Sequence, residues 1–296
     1  MKCYICPREC GADRENGQLG VCGVDNKIYV SRVGLHMWEE PCISGKSGSG
    51  TVFFAGCSLG CVYCQNYRIS DVKMSDKRGA KVFSIEDLAK VFIALQNDGA
   101  NNINLVTPTH YSYEIIEAVK IARDEGLYLP IVYNCSGYEK AETLKALEGT
   151  VDIYLTDFKY MDDDLGKKYS HVSNYVEIAK KALHEMHRQI SNCEFNEMGM
   201  MTKGIIVRNL LLPLNVKNSI NVIRYVHETY GDDLYLSIMN QYTPMPQVEG
   251  IEPLNRKVTK REYNKLVSFM IEAGIENAFI QEGDVASESF IPQFDI

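Results

Sequence analysis

The 296-residue sequence lacks any apolar run approaching the ~18 residues that a membrane-spanning helix requires. Its start, Met1-Lys2-Cys3-Tyr4-Ile5-Cys6, has no long apolar stretch of the kind a secretory signal carries. The expected location is therefore the cytoplasm, with no membrane partner. An excess of basic charge is also missing: 31 Lys and Arg stand against 39 Asp and Glu, a formal net charge of -8. Nucleic acid is not an expected partner, because non-specific binding needs a basic surface that neutralises phosphates. No internal repeat, low-complexity segment or clear linker interrupts the chain. Gly45-Lys46-Ser47 looks like the end of a phosphate-binding loop, but the glycine required five residues earlier is Glu40. No His-Glu-x-x-His and no Gly-x-Ser-x-Gly motif occurs. At 45% hydrophobic and 24% charged, the composition is that of a globular protein, and the length suits one large α/β domain or two small ones.

Cysteine, by contrast, is abundant and clustered. Of ten cysteines, eight lie in the first 64 residues. Stable disulfides are rare in the cytosol, so the clustering points to metal or cluster ligation. The first group is Cys3-x2-Cys6-x3-Cys10-x11-Cys22. Four thiolates suit a tetrahedral zinc or an iron–sulfur site, and the residues alone favour neither. The plain alternative is a set of buried free thiols. The second group is Cys57-x3-Cys61-x2-Cys64, on one short loop after an apolar run. Three is the informative number. A structural zinc takes four closed ligands, whereas a four-iron cluster held by three cysteines keeps one iron open for a substrate or cofactor.

Cys-x3-Cys-x2-Cys, with Tyr63 just before the last cysteine, resembles the signature of radical S-adenosylmethionine (SAM) enzymes. The surrounding words narrow the likeness. Glu39-Glu40-Pro41-Cys42-Ile43-Ser44-Gly45, Gly48-Ser49-Gly50-Thr51, Gln65-Asn66-Tyr67 and the N-terminal Cys-x2-Cys-Pro-Arg-x-Cys-Gly resemble homologues of pyruvate formate-lyase activating enzyme. The likeness runs over roughly residues 3 to 285.

Short apolar strands alternate with helices from residue 51 onward. Strands are expected at 51–55, 102–106, 130–133, 151–155, 204–212, 234–239 and 278–280. Helices are expected at 85–98, 113–124, 139–147, 173–190, 219–229 and 260–273. Ser84 is the expected cap of the first helix, with Asp87 three positions in. This βα alternation predicts a parallel sheet. Periodicity alone does not separate a partial barrel from a doubly wound sheet. The resemblance implies an α/β fold of the partial (β/α)6 TIM-type barrel class. Residues 1–48 are expected as a cysteine-rich N-terminal segment and 49–296 as the barrel.

Either topology places site residues just after the strands' C-terminal ends. The second strand ends Thr107-Pro108-Thr109-His110, where many radical SAM enzymes carry a Gly-Gly-Glu stretch that contacts the SAM amino group. Thr107 and Thr109 offer hydroxyl acceptors in its place. His110 is either a polar contact or a satisfied structural histidine. After the third strand, Asn134 and Ser136 are candidates for the SAM carboxylate or ribose, while Cys135 reads as a packed residue. Asp157 and Lys159 stand at i and i+2, on one face of the fourth strand's end. They serve as an anchor for cofactor or substrate, or as an ordinary ion pair. Arg208 on the fifth strand and Gln241 and Tyr242 after the sixth complete the set, with Glu40 a possible partner of Lys159 or Arg208. Asp162-Asp163-Asp164 reads as a solvated helix start.

The resemblance implies that Cys57, Cys61 and Cys64 hold a [4Fe-4S] cluster whose open iron is chelated by SAM. Reductive cleavage of SAM then yields a 5′-deoxyadenosyl radical that removes a hydrogen atom from the substrate. It further implies an oxygen-sensitive, anaerobic oxidoreductase with a flavodoxin- or ferredoxin-type reductant. A glycyl-radical protein is the expected substrate, with a peptide or small molecule as the alternative. A non-catalytic iron–sulfur or zinc protein is the competing class, but the number of βα units exceeds what a carrier needs.

Overall fold

The computed structural model describes residues 2–70 and 79–281. The tail of the expected barrel segment, 282–296, lies outside the described residues. Among the described residues ten strands form in chain order: β1 (Ile28–His36), β2 (Ser49–Phe54), β3 (Lys81–Phe83), β4 (Ile103–Val106), β5 (Ile131–Cys135), β6 (Ile153–Asp157), β7 (Glu194–Phe195), β8 (Met201–Leu210), β9 (Tyr235–Met239) and β10 (Ala278–Ile280). The helices are α1 (Pro41–Ser44), α2 (Tyr67–Ser70), α3 (Ile85–Asn97), α4 (Ser112–Asp124), α5 (Ala141–Ala146), α6 (Asp163–Ser170), α7 (Tyr175–Gln189), α8 (Val216–Tyr230) and α9 (Lys260–Glu272).

The main sheet runs β10-β9-β8-β6-β5-β4-β2-β1-β3, with β7 paired to β8 off that path. From β2 through β10 every neighbouring pair is parallel. β1 is antiparallel to both β2 and β3. The sheet is not closed, so the architecture is a mixed α/β partial barrel of the radical SAM type. Every residue of β2 and β4 is buried, and so is every residue of β5. Strands covered on both faces are largely apolar, with few polar positions such as Asn104 and Asn134, which is why they stand out in the sequence.

Helix ends follow local chemistry. Ser84 accepts a hydrogen bond from the Asp87 N–H while Asp87 accepts from the Ser84 N–H, a reciprocal cap on α3. Asp162 caps α6 by accepting from the Asp164 N–H. At the other end of α6, His171, the first residue after the helix, takes a left-handed φ of 56° and ends it four residues before α7 begins.

Strands β1, β3 and β7 were not visible to periodicity. β1 begins with three buried residues and then becomes half exposed, and β3 has only three residues. β1 lies inside the cysteine-rich segment and pairs directly with β2, for example Val30 opposite Phe54.

Candidate active site

The parallel strands deliver their C-terminal ends to one cavity of about 240 Å³. β2 leads into the loop bearing Cys57, Cys61 and Cys64, and all three thiols line the cavity. Each sulfur has a hydrogen-bonding neighbour. The Leu59 N–H donates to Cys57 Sγ at 3.4 Å, and Ser70 Oγ donates to Cys64 Sγ at 3.2 Å. Cys61 Sγ lies 3.0 Å from Ser170 Oγ. Burial pushes the Cys64 thiol up to about 12 against the Ser70 hydroxyl. Burial likewise raises Cys61, opposed by the Lys159 ammonium. These thiols are costly to ionise alone, and donors are already aimed at the sulfurs, which is the environment of thiolates that a metal centre stabilises. The donor set thus fits an iron–sulfur cluster. Among the described residues no group of three or more His, Cys, Asp or Glu is arranged to hold a single metal ion.

Across the cavity stands a charged ring. Arg208 donates from Nε to Asp157 at 3.0 Å, from Nη1 to Glu39 at 3.2 Å and from Nη2 to Asn134 Oδ1 at 2.6 Å. Lys159 Nζ donates to the other Asp157 oxygen at 2.5 Å. Asn104 and Asn134 both donate to Glu39 Oε1, at 3.1 and 3.3 Å. The ring exists because β6 and β8 pair in parallel with Asp157 opposite Arg208. Burial opposes charge on Asp157, but Lys159 and Arg208 hold its carboxyl below the usual carboxylate range. For Lys159, burial favours the neutral amine, and Asp157 followed by Cys61 override it and hold the ammonium. Burial raises the Glu39 carboxyl in spite of Arg208 and Asn104.

Thr107, Asn134, Ser136, Asp157, Lys159, Arg208 and Gln241 line the cavity, as does Tyr63, whose hydroxyl lies 2.7 Å from that of Tyr160. Thr107 carries a φ of 59°, which is unusual for a β-branched residue and marks a held conformation at the strand end. Three expected contacts are corrected. Thr109 is buried and its hydroxyl donates to Glu139 at 2.9 Å. His110 is fully buried with Nε2 2.8 Å from the Ala55 carbonyl, and burial pushes it down to about 3. Tyr242 is fully buried and donates to the Leu254 carbonyl at 2.5 Å. None of the three lines the cavity, because 3-10 and turn geometry after β4 and β9 rotates them behind its wall. Of the acidic pair, Glu39 makes the hydrogen bond to Arg208, and the expected Glu40 lies within electrostatic reach of the same guanidinium. Glu40 is buried and its Oε2 has no hydrogen-bond partner among the described residues. Asn104 was missed entirely. It sits in the middle of a strand rather than at its end, and the only signal was a lone polar side chain in an apolar run.

In the N-terminal segment, the Cys3 and Cys10 side chains lie close enough to interact. Cys22 lies within electrostatic reach of both, and Cys6 within reach of Cys3 and Cys22. Burial pushes the Cys6 thiol up to about 12, opposed by the Arg8 backbone N–H. No helix among the described residues is long and apolar enough to cross a membrane.

The description of the radical SAM superfamily matches residues 51–203, more than half of the chain. The chain belongs to that superfamily, which implies a [4Fe-4S] cluster and SAM. Two proteins of Methanocaldococcus jannaschii are similar to it. The uncharacterized protein MJ0674 is 28% identical over 267 residues, covering 89% of this chain and 72% of its own length. The uncharacterized protein MJ0808 is 23% identical over 297 residues, covering 95% and 80%. Among solved structures, Streptococcus suis SuiB bound to S-adenosylmethionine aligns at 14% identity with a TM-score of 0.49. That alignment covers 77% of this chain, which spans about half of SuiB, 48% of its length. SuiB bound to the precursor peptide SuiA gives 13% identity and a TM-score of 0.48, over 75% of this chain and 46% of that one.

Proposed function

We propose that this radical SAM enzyme is related in activity to pyruvate formate-lyase activating enzyme and abstracts a hydrogen atom from a partner protein, installing a glycyl radical. The observation that carries the catalytic reading is the facing of three donor-supported thiols and an Asp157–Lys159–Arg208–Glu39 ring across one cavity. Cys57, Cys61 and Cys64 would hold the cluster, which with SAM supplies reductive sulfonium cleavage and hence an organic radical. Lys159 and Arg208 bring positive charge for a carboxylate, and Asp157 and Asn134 fix where those cations point. Tyr63 and Leu59 form part of the cavity wall.

The glycyl-radical assignment rests on the sequence words around the cysteine loop. Modification of a peptide or a small molecule is the alternative outcome of its test. A flavodoxin- or ferredoxin-type reductant in an anaerobic cytoplasm fits the chemistry. Cys3, Cys6, Cys10 and Cys22 are proposed as thiolate ligands of a second metal site, zinc or iron–sulfur, within the N-terminal segment, 1–48, whose β1 joins the main sheet.

Anaerobic reconstitution followed by dithionite and SAM tests the catalytic reading. Wild type forms 5′-deoxyadenosine and Cys61→Ala forms none; full turnover by that variant would contradict the ligand assignment. A glycyl-radical electron paramagnetic resonance signal on an added formate-lyase-like partner tests the substrate, and deuterium loss from a peptide or metabolite instead would favour the alternative. For the second site, metal and sulfide counts in a Cys6→Ala/Cys10→Ala double variant should fall, and an unchanged inventory would remove it.

A further inference from the structure

The N-terminal segment touches the cysteine loop at two points that the proposed chemistry does not use. Cys22 accepts, through its carbonyl, the Cys57 N–H at 3.2 Å. Contact there is tight: a Cβ on Gly56 would stand 2.5 Å from that same oxygen. The second point is Arg8, which lies between Cys6 and Cys10. Its Nε donates to the Ser58 carbonyl at 2.7 Å and its Nη2 to the Leu59 carbonyl at 3.2 Å. Those carbonyls belong to the span between Cys57 and Cys61. From the same guanidinium, Nη1 donates to the His171 carbonyl at 2.8 Å and Nη2 to that of Ser170 at 3.2 Å.

These four acceptors have a common logic. Ser170 and His171 end α6, where carbonyls lack helical partners and the helix dipole favours a cation. The left-handed φ of His171 turns that end toward Arg8. The same end of α6 supports the loop independently, since Tyr169 accepts the Val62 N–H at 2.9 Å and Ser170 Oγ lies against Cys61 Sγ. One planar fork therefore ties the first half of the cysteine loop to the helix end that holds its second half. Only arginine presents donors in that planar arrangement.

We propose that Arg8 is a positioning residue for the cluster loop, and that the N-terminal cysteine segment works as a clamp that holds Cys57 and Cys61 in place for the cluster. This rests on the reading that Cys57, Cys61 and Cys64 are the cluster ligands. Arg8 touches no reacting group. Its effect runs through the loop backbone to the sulfurs.

The test uses full-length protein, reconstituted anaerobically, in wild-type, Arg8→Ala, Arg8→Lys and Lys140→Ala forms. Lys140 donates to Glu9 and to the Tyr4 carbonyl in exposed contacts, so its loss changes the charge beside Arg8 while the Arg8 fork stays on the loop carbonyls. Far-UV circular dichroism and melting curves confirm that each variant folds. Two readouts follow: the rate at which excess EDTA bleaches the cluster absorbance, and the electron paramagnetic resonance line shape of the reduced cluster. Arg8→Ala should bleach about tenfold faster than wild type, the usual scale for loss of an outer partner, with an altered line shape. Arg8→Lys keeps the charge but not the fork and should bleach closer to Arg8→Ala than to wild type. Lys140→Ala should match wild type. Wild-type behaviour in either Arg8 variant would overturn the clamp, as would equal bleaching in Lys140→Ala and Arg8→Ala. Should Arg8→Ala not fold, Arg8→Lys carries the comparison. A wild type that takes up no cluster at all would instead sink the underlying ligand reading, and the clamp with it.

Discussion

Asp157 is the residue on which the charged ring turns. It satisfies Lys159 with one oxygen and Arg208 with the other, in a position only 16% exposed. Replacing it by Asn leaves two cations facing each other without their shared anion, and breaking a buried pair in this way costs about 3–5 kcal/mol. Urea denaturation of Asp157→Asn should show a loss of that order, and a loss below about 1 kcal/mol, the range of surface pairs, would mean that solvent already screens the ring. Glu139 makes a separate prediction. Burial pushes its carboxyl up to about 8 against the Thr109 and Tyr133 hydroxyls, from an ordinary 4.5. Between those values the folded chain holds a proton that the unfolded chain has lost. Its contribution to stability is therefore full below about 4.5 and is lost as pH rises to about 8, with a slope of up to about 1.4 kcal/mol per pH unit. In Glu139→Gln that component of the decline should vanish from unfolding midpoints measured across this window; an unchanged slope would place the titration elsewhere. Residue chemistry was only partly legible beforehand. The thiols, Asp157, Lys159 and Arg208 were readable because each follows an apolar strand. Thr109, His110 and Tyr242 follow strands too, yet local turns rotate them into the wall, and no spacing rule carries that rotation.

At the scale of elements, the βα alternation was legible because buried parallel strands leave continuous apolar runs. Helix α7 was expected at 173–190 and forms at Tyr175–Gln189; α9 was expected at 260–273 and forms at Lys260–Glu272. What stayed hidden was pairing that alternation does not encode. β1 mixes buried and exposed positions after Val30, and its partner β2 comes from the far side of α1. The junction of β5 with β6 offers a local test. Gly137 has a φ of +76°, and a Cβ there would meet the Asp157 carbonyl oxygen at 2.0 Å. The nearest atom is backbone, so no flexible side-chain end gives way to the added carbon. Gly137→Ala should destabilise by about 1–3 kcal/mol from overpacking, with a further penalty for the left-handed conformation, and should displace the strand end that carries Asp157. Unaltered melting would show that the two strand ends are free to separate.

Over the whole molecule, an open parallel sheet gathers residues from β2, β4, β5, β6, β8 and β9 around one cavity. Groups more than a hundred residues apart in sequence, such as Glu39 and Arg208, meet only there. That convergence explains why Glu39 and Asn104 escaped a reading confined to strand ends. It also explains why the N-terminal segment, set apart by composition, is joined through Cys22 and Arg8 to the loop it precedes. The most direct measurement is iron and acid-labile sulfide per chain after anaerobic reconstitution, in wild type and in a Cys57→Ala/Cys61→Ala/Cys64→Ala variant that keeps Cys3, Cys6, Cys10 and Cys22. A three-cysteine cluster predicts that the variant loses about four iron and four sulfide together with all SAM cleavage. Equal iron and sulfide in the two proteins would contradict it.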